Sequence, residues 1–381
     1  MGVLKDMESS HFIANYWQKQ PLLIREAMDP ALFPVSPDEL AGLACEPEVE
    51  SRLVIQHGPA EWQLAHGPFD ESDFATLPES HWTLLVQDVD KLRPDVGDLL
   101  GFFDFLPGWR IDDVMISFAT DQGGVGPHRD AYDVFLIQGS GRRRWRLGRP
   151  GRDALIPGLD LRILADFDTA HDWLLDPGDL LYLPPGVAHW GTAVGDCMTY
   201  SVGFRTVSQR ELAAAWFQYR STLAGDSALD DSDGSLADPG TIDDALIDRA
   251  QTLVDAVPDS PREDFAQLLG TLLTEPKAHF RVEAPETAWE ARQLTDWLAG
   301  GGCLVRHPWV RFAWHRLSDD RVCVFCNGES ACHVIDQLPL IRAVCAHRRL
   351  TSARLAALDL DRSLPVLLDM LNRGWLETGA D

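Results

Sequence analysis

The pattern of apolar and polar positions divides the chain into three stretches. Residues 1 to about 206 carry short apolar runs broken by Gly and Pro, the punctuation of strands. Arg110–Ala119 (RIDDVMISFA) alternates loosely. Tyr132–Gln138 (YDVFLIQ) and Arg142–Leu147 (RRRWRL) flank Gly139-Ser140-Gly141, which reads as a short hairpin loop. Asp179–Leu183 and Met198–Arg205 add two strands, and the set predicts a sandwich or barrel. From about 207 the period becomes helical: Arg210–Leu223, Thr241–Val257 and Arg262–Leu273 are predicted helices. Between the first two, Gly225–Gly240 has little to bury and reads as a solvated loop. After about 281 come short helices, strand-like Trp309–Leu317 and Arg321–Phe325, then Pro339–His347 and Leu364–Arg373. The expected organisation is therefore 1–206, 207–280 and 281–381.

Length agrees, since 381 residues at ~150 per domain give two to three domains. No apolar run approaches the ~18 residues of a membrane span. The start, MGVLKDMESSHFIANYW, lacks a signal-peptide pattern, so a spanning or conventionally secreted protein is not expected. Seven scattered cysteines, an odd number, predict reduced thiols in a cytoplasm rather than a disulfide framework. With 33 basic and 59 acidic residues the net charge is −26. That balance argues against a nucleic-acid partner and fits either a basic partner or simple solubility.

The sharpest chemical feature is GGVGPHRDAYDVFLIQ. His128 and Asp130 are two apart at a strand start, and positions i and i+2 of a strand face one side. His189 lies downstream in DPGDLLYLPPGVAHWG, after a strand and a Pro-Pro-Gly turn. Two His and one carboxylate on one face of a metal leave its other positions open, the facial arrangement of non-haem Fe(II) oxygenases. His-x-Asp alone is a weak signal; the Gly-rich approach and the second His strengthen it.

The next strand adds a cation. Arg142, Arg144 and Arg146 share one face, and Arg143, Trp145 and Leu147 the other. The face with Trp and Leu should point inward and carry Arg143 with it. A buried guanidinium needs a partner: a co-substrate carboxylate, an internal salt bridge, or water at a rim. Ser117, in the apolar strand Val114–Ala119, could bond the same carboxylate or be a satisfied core hydroxyl. Asp121, where that strand meets the Gly-rich loop, could meet a basic substrate or simply be solvated.

Cys323-Val-Phe-Cys326 followed by Cys332-His333 offers up to four zinc ligands. Arg321–Phe325 reads as a strand, however, and there Cys323 and Cys326 point to opposite faces. Buried small hydrophobes are the better reading. No P-loop or G-x-S-x-G is present, and GGVGP precedes a strand, so it is a poor dinucleotide signature.

HWTLLVQDVD, WRIDDVMISFATDQGGVGPHRDAYDVFLIQGSGRRRWRLG, DPGDLLYLPPGVAHWG and MTYSVGFR together resemble the JmjC-type cupin oxygenases. YWQKQPLLIREA and SPDELAGLACEPEVESRLV narrow the likeness to bacterial ribosomal oxygenases that hydroxylate an arginine of large-subunit ribosomal protein sixteen. The likeness is densest over residues 11–210. It implies a mainly β double-stranded β-helix core, a helical dimerisation segment over 207–280 and a winged-helix-like α+β domain over 281–381. It implies Fe(II) on His128, Asp130 and His189, and 2-oxoglutarate on Arg143 with Ser117 assisting. Molecular oxygen completes the reaction, which installs a hydroxyl at C-3 of the arginine. A basic ribosomal protein then accounts for the acidic charge, and a homodimer is expected. Thr199 stands where this branch is expected to carry Asn, and the Cys cluster is not a family feature. Asp121 as the substrate contact rests on position.

Two alternatives remain at this point. One is a JmjC oxygenase acting on histidine, lysine or a small molecule; an acidic, aromatic-lined pocket mouth favours arginine and a neutral polar one histidine. The other is a non-catalytic cupin whose winged helix contacts nucleic acid, for which the tail arginines Arg306, Arg311, Arg316, Arg321, Arg342, Arg348 and Arg349 speak.

Overall fold

The computed structural model describes residues 2–151, 153–229, 242 and 244–379. Most of the expected loop Gly225–Gly240 lies outside them. The chain divides into two compact units, Met1–Thr206 and Val207–Asp381.

The N-terminal unit is built on ten strands: β1 (Leu22–Ile24), β2 (Ser51–Gly58), β3 (Glu61–His66), β4 (Trp82–Val86), β5 (Ile111–Ala119), β6 (His128–Arg129), β7 (Asp133–Gly148), β8 (Thr169–Leu175), β9 (Leu180–Leu183) and β10 (Ala188–Phe204). They pair in the order β1-β9-β7-β10-β5-β4-β2-β3, all antiparallel, with β6 on β10 and β8 on β7. Two long strands organise the sheet. The first half of β7 pairs with β9 and its second half with β8. β10 pairs with β7 along most of its length and also with β5 and β6. This is the double-stranded β-helix that the resemblance implies.

The hairpin expected at Gly139-Ser140-Gly141 is not there. The chain runs straight through as one strand, β7, and its register against β10 shifts at Val194–Met198. The glycines answer a bulge and a close approach rather than a turn. A Cβ on Gly139 would lie 2.7 Å from the Tyr200 ring, and Gly141 has a φ of +62°. Alternation along β7 splits its side chains between two apolar clusters. Phe135 and Ile137 join Phe12, Phe103, Tyr182 and Phe204, while Val134 and Leu136 join Trp145, Leu147 and Leu181. The strand is thus buried on both faces, and the second face is the one that holds the site.

The C-terminal unit begins with helix Gln209–Ser221, opened by a Ser208/Glu211 capping box. Helices Asp244–Asp255 and Arg262–Thr274 follow, then helix Ala291–Ala299. Six strands follow: β11 (Cys303–Arg306), β12 (Phe312–Arg316), β13 (Arg321–Cys326), β14 (Glu329–Val334), β15 (Arg349–Leu350) and β16 (Leu376–Gly379). They form two small sheets, β15-β11-β16 and β12-β13-β14. Helices Leu338–Ala346 and Leu360–Asn372 supply Leu340, Ile341, Leu367 and Met370 to a shared core with Leu304, Phe312 and Val324. This is the winged-helix-like part of the fold.

The cysteine expectation needs one correction. Cys323 and Cys332 are directly opposite in the β13–β14 ladder, with Cα atoms 4.0 Å apart, and are joined as a disulfide. Sequence spacing gives no register, so this pairing was not visible. The other five cysteines form no disulfide among the described residues.

Candidate active site: a His-Asp-His face beside a buried arginine

The Gly-rich approach to His128 is a packing requirement. A Cβ on Gly124 would sit 2.4 Å from the Gly191 carbonyl oxygen, so only glycine lets this segment lie against β10. The segment then enters β6, which pairs with the start of β10 so that His128 faces His189. Their ring centroids are 4.2 Å apart. Asp130 joins them: one carboxylate oxygen is 3.8 Å from His128 Nε2 and the other 3.5 Å from His189 Nε2.

Backbone carbonyls fix the imidazole orientations. His128 Nδ1 donates to Gly126 O and His189 Nδ1 donates to Val187 O, both at 2.9 Å. With both Nδ1 atoms used as donors, both Nε2 lone pairs point to the same space. Burial pushes the His189 pKa well below the usual histidine value, helped by His128, so the ring is neutral. Burial also raises the Asp130 pKa, while Arg52 and a hydrogen bond from Tyr132 act in the other direction.

Three ligands on one face of an octahedron with bonds of about 2.1 Å sit about 3 Å apart, close to what these side chains present. One ligand atom from each lies within 4.8 Å of the others, and no other group of three or more His, Cys, Asp or Glu does so among the described residues. The arrangement fits a divalent ion with open positions. The Cys323/Cys326/Cys332/His333 set builds no such cluster. Cys323 and Cys332 pair with each other, and Cys326 points to the opposite face among Val322, Val324 and Leu340.

Arg143 lies on the inner face of β7, 3% exposed. Its Nη1 donates to Ser117 Oγ (3.2 Å) and Thr199 Oγ1 (3.3 Å), while its Nε is buried with no partner. Trp145 Nε1, next to it, is a second buried donor without a partner. Burial depresses the Arg143 pKa, the mark of a charge not yet compensated. Ser117, Thr199 and Gln138 come together because Thr199 of β10 is in register with Ser117 of β5 and Gln138 of β7. His128, Asp130, His189, Arg143 and Ser117 all line one cavity of about 620 Å³.

Asp121 does not join them. It is exposed, accepts a hydrogen bond from Gly195 N at 2.7 Å and is not among the residues lining the cavity. Sequence reasoning missed several that are: Arg52 and His66 from the paired strands β2 and β3, Tyr132 two residues after Asp130, and Asp160 and Arg162. Tyr132 was legible from its i+2 spacing to Asp130; the others arrive from distant segments. The cavity wall is mixed in charge, neither wholly acidic nor neutral.

Two family models match parts of the chain: JmjC domain over residues 98–212 and ROXA-like winged helix over residues 249–377. The ribosomal protein uL16 3-hydroxylase of Escherichia coli K12 is 38% identical over 370 residues, 96% of both chains. The X-ray structure of E. coli YcfD superposes with a TM-score of 0.80 at 36% identity, over 98% of this chain and 99% of that one. A structure of the E. coli ribosomal oxygenase YcfD in complex with cobalt and 2-oxoglutarate matches with a TM-score of 0.77 at 36% identity, over 98% and 99%. The chain belongs to the JmjC-domain ribosomal oxygenases, the family of the E. coli uL16 3-hydroxylase.

Proposed function

We propose that this chain is an Fe(II)- and 2-oxoglutarate-dependent oxygenase that hydroxylates C-3 of an arginine side chain in ribosomal protein uL16. The observation that carries the reading is the pairing of a convergent His-Asp-His face with a buried, uncompensated guanidinium in one cavity. His128, Asp130 and His189 are the metal ligands. Arg143 takes the distal carboxylate of 2-oxoglutarate, with Ser117 and Thr199 holding the guanidinium from its other side.

When bound, the iron supplies the oxidative chemistry: oxygen activation coupled to decarboxylation of 2-oxoglutarate to succinate. The chain supplies placement. The two carbonyl-anchored imidazoles present Nε2 without rearrangement. The charge-assisted bond to Arg143 fixes the co-substrate at its far end, so its reacting end is held near the triad. Val134, Leu136 and Trp145 line the same cavity and keep water from the buried charges.

The test is a mass-spectrometric turnover assay with Fe(II), 2-oxoglutarate and the cognate uL16. Gain of one oxygen on an arginine, absent in His128→Ala and Arg143→Ala variants, is the expected outcome. Succinate formation with the oxygen on a histidine or lysine would move the target within the family.

The protein is further read as a cytoplasmic homodimer, since its substrate is a ribosomal protein. Support for the dimer comes from Phe217, Ile247 and Val254, large apolar side chains 67%, 54% and 65% exposed on helices Gln209–Ser221 and Asp244–Asp255. A monomer mass by sedimentation at working concentration contradicts it.

A further inference from the structure

The side of β7 opposite Arg143 carries Arg142, Arg144 and Arg146, and beside the last of them lies a second cavity, of about 330 Å³. Its lining includes Gln56 of β2, His81 just before β4, Gln122 just after β5, Arg146 of β7, and Trp190 and Thr192 of β10. None of the residues assigned to the metal or to 2-oxoglutarate lines it. We infer that this cavity is an anion site and that the anion it takes is a phosphate group. The inference does not depend on which residue the enzyme hydroxylates.

Strand register builds the site. Arg146 is directly opposite Trp190 in the β7–β10 ladder and opposite Asp172 in the β7–β8 ladder. Asp172 is the obvious counter-ion, but both of its carboxylate oxygens accept from Arg144 Nη1, at 3.2 and 3.3 Å. The Arg146 guanidinium lies instead over the Trp190 ring, 4.3 Å from its centroid, and has no hydrogen bond or ion pair among the described residues. Thr192, 8% exposed, adds a buried Oγ1 that also lacks a partner. His81 Nδ1 is 2.7 Å from Ser80 Oγ; with that hydroxyl donating to Nδ1, Nε2–H is left as a donor.

Charge points the same way. No carboxylate lines this cavity among the described residues. Of those nearby, Asp121 accepts from Gly195 N, and Glu61 beside Gly58 is exposed, where water and salt screen it. A guanidinium laid on an indole has its planar fork oriented before a ligand arrives, and that fork matches two oxygens of a phosphate. The Thr192 hydroxyl and the His81 imidazole come from other strands and loops, so donors surround the space from several sides. A tetrahedral oxyanion uses such a set; a planar carboxylate does not need it.

The experiment titrates the full-length protein at low salt with inorganic phosphate, adenosine monophosphate and a short single-stranded RNA, read by calorimetry. Wild type is expected to bind, and Arg146→Gln to bind about tenfold or more weakly, with Arg146→Lys between them. Arg142→Gln removes the same charge from the same face outside the cavity and should bind as wild type does. An unchanged Tm in Arg146→Gln shows that its loss is not one of folding. Affinity rising from phosphate to the mononucleotide to the RNA names a polynucleotide as the source of the phosphate, and equal affinities name the free ion. No binding of any of the three up to about 10 mM overturns the assignment, as does an equal loss in Arg142→Gln and Arg146→Gln.

Discussion

Each unit of the molecule gathers candidate metal ligands at short sequence spacing, and only the N-terminal one builds a site. His128-x-Asp130 and Cys323-x-x-Cys326 both lie at or in strands, and both have later partners, His189 in one case and Cys332-His333 in the other. The difference is register. In the N-terminal unit i and i+2 share a face, and β10 sets His189 opposite His128. In the C-terminal unit i and i+3 fall on opposite faces of β13. Cys323 meets Cys332 across the ladder, His333 sits opposite Val322, and Cys326 is enclosed by apolar side chains. Burial holds the Cys326 thiol well above its usual pKa, so it is no thiolate ligand. Ligand chemistry therefore emerges from pairing geometry more than from residue type.

The largest effect follows directly. Asp130→Ala should abolish binding of a divalent ion at the triad and cut turnover by more than about 100-fold. A Cys326→Ser, Cys332→Ser double variant should bind the same number of metal equivalents as wild type. Metal content by mass spectrometry of the native protein measures both. Loss of a metal equivalent from the cysteine variant would break the comparison.

A second contrast concerns buried charge. Arg143 is a buried cation held by two hydroxyls, whereas the buried polar groups of the C-terminal core include Thr274, which donates to Gly270 O and accepts from Gly328 N. An uncompensated charge costs stability until its partner arrives. Arg143→Met should therefore lose about 100-fold or more in 2-oxoglutarate affinity while leaving the free protein as stable as wild type or raising its Tm by about 2 to 4 °C. Calorimetry with and without 2-oxoglutarate checks both halves: the co-substrate should raise Tm in wild type and not in the variant.

These contrasts also show what could be read from the chain. Faces within one strand were legible: alternation alone set Arg143 with Trp145 and Leu147 on the inside, and i+2 spacing set Asp130 beside His128. Helices with clear period, such as Gln209–Ser221 and Arg262–Thr274, also lay close to where the pattern put them. What failed was non-local. A Gly-Ser-Gly that looks like a turn is a bulge, because Tyr200 of β10 packs against Gly139. Asp160 reaches the cavity only because Leu159 and Leu161 fold back onto a cluster that includes β2, β3 and β4 side chains. The Cys323–Cys332 link needs a ladder register that no spacing rule supplies.

The smallest effect separates the two units by acid. In both, burial keeps an imidazole neutral: His189 beside Asp130, and His307 at 3.7 Å from Glu377. His307 Nδ1 accepts from Trp309 N at 3.1 Å, so protonating that nitrogen removes an acceptor from the β11 end of the fold. Its folded pKa lies below the ordinary value of about 6.5, so the unfolded chain takes up the proton first. The stability this contributes is full above that value and falls as pH drops from it toward the folded pKa. His333, lowered by burial as well, adds in the same direction. Protection against hydrogen exchange in β11 and β16, taken relative to the intrinsic exchange rate at each pH, should therefore fall slightly between pH 7.5 and about 5.5, and His307→Gln, whose amide oxygen can still accept from Trp309 N, should flatten that change. An acid response confined to β6 and the start of β10, with β11 and β16 unmoved, would assign the sensitivity to the triad alone.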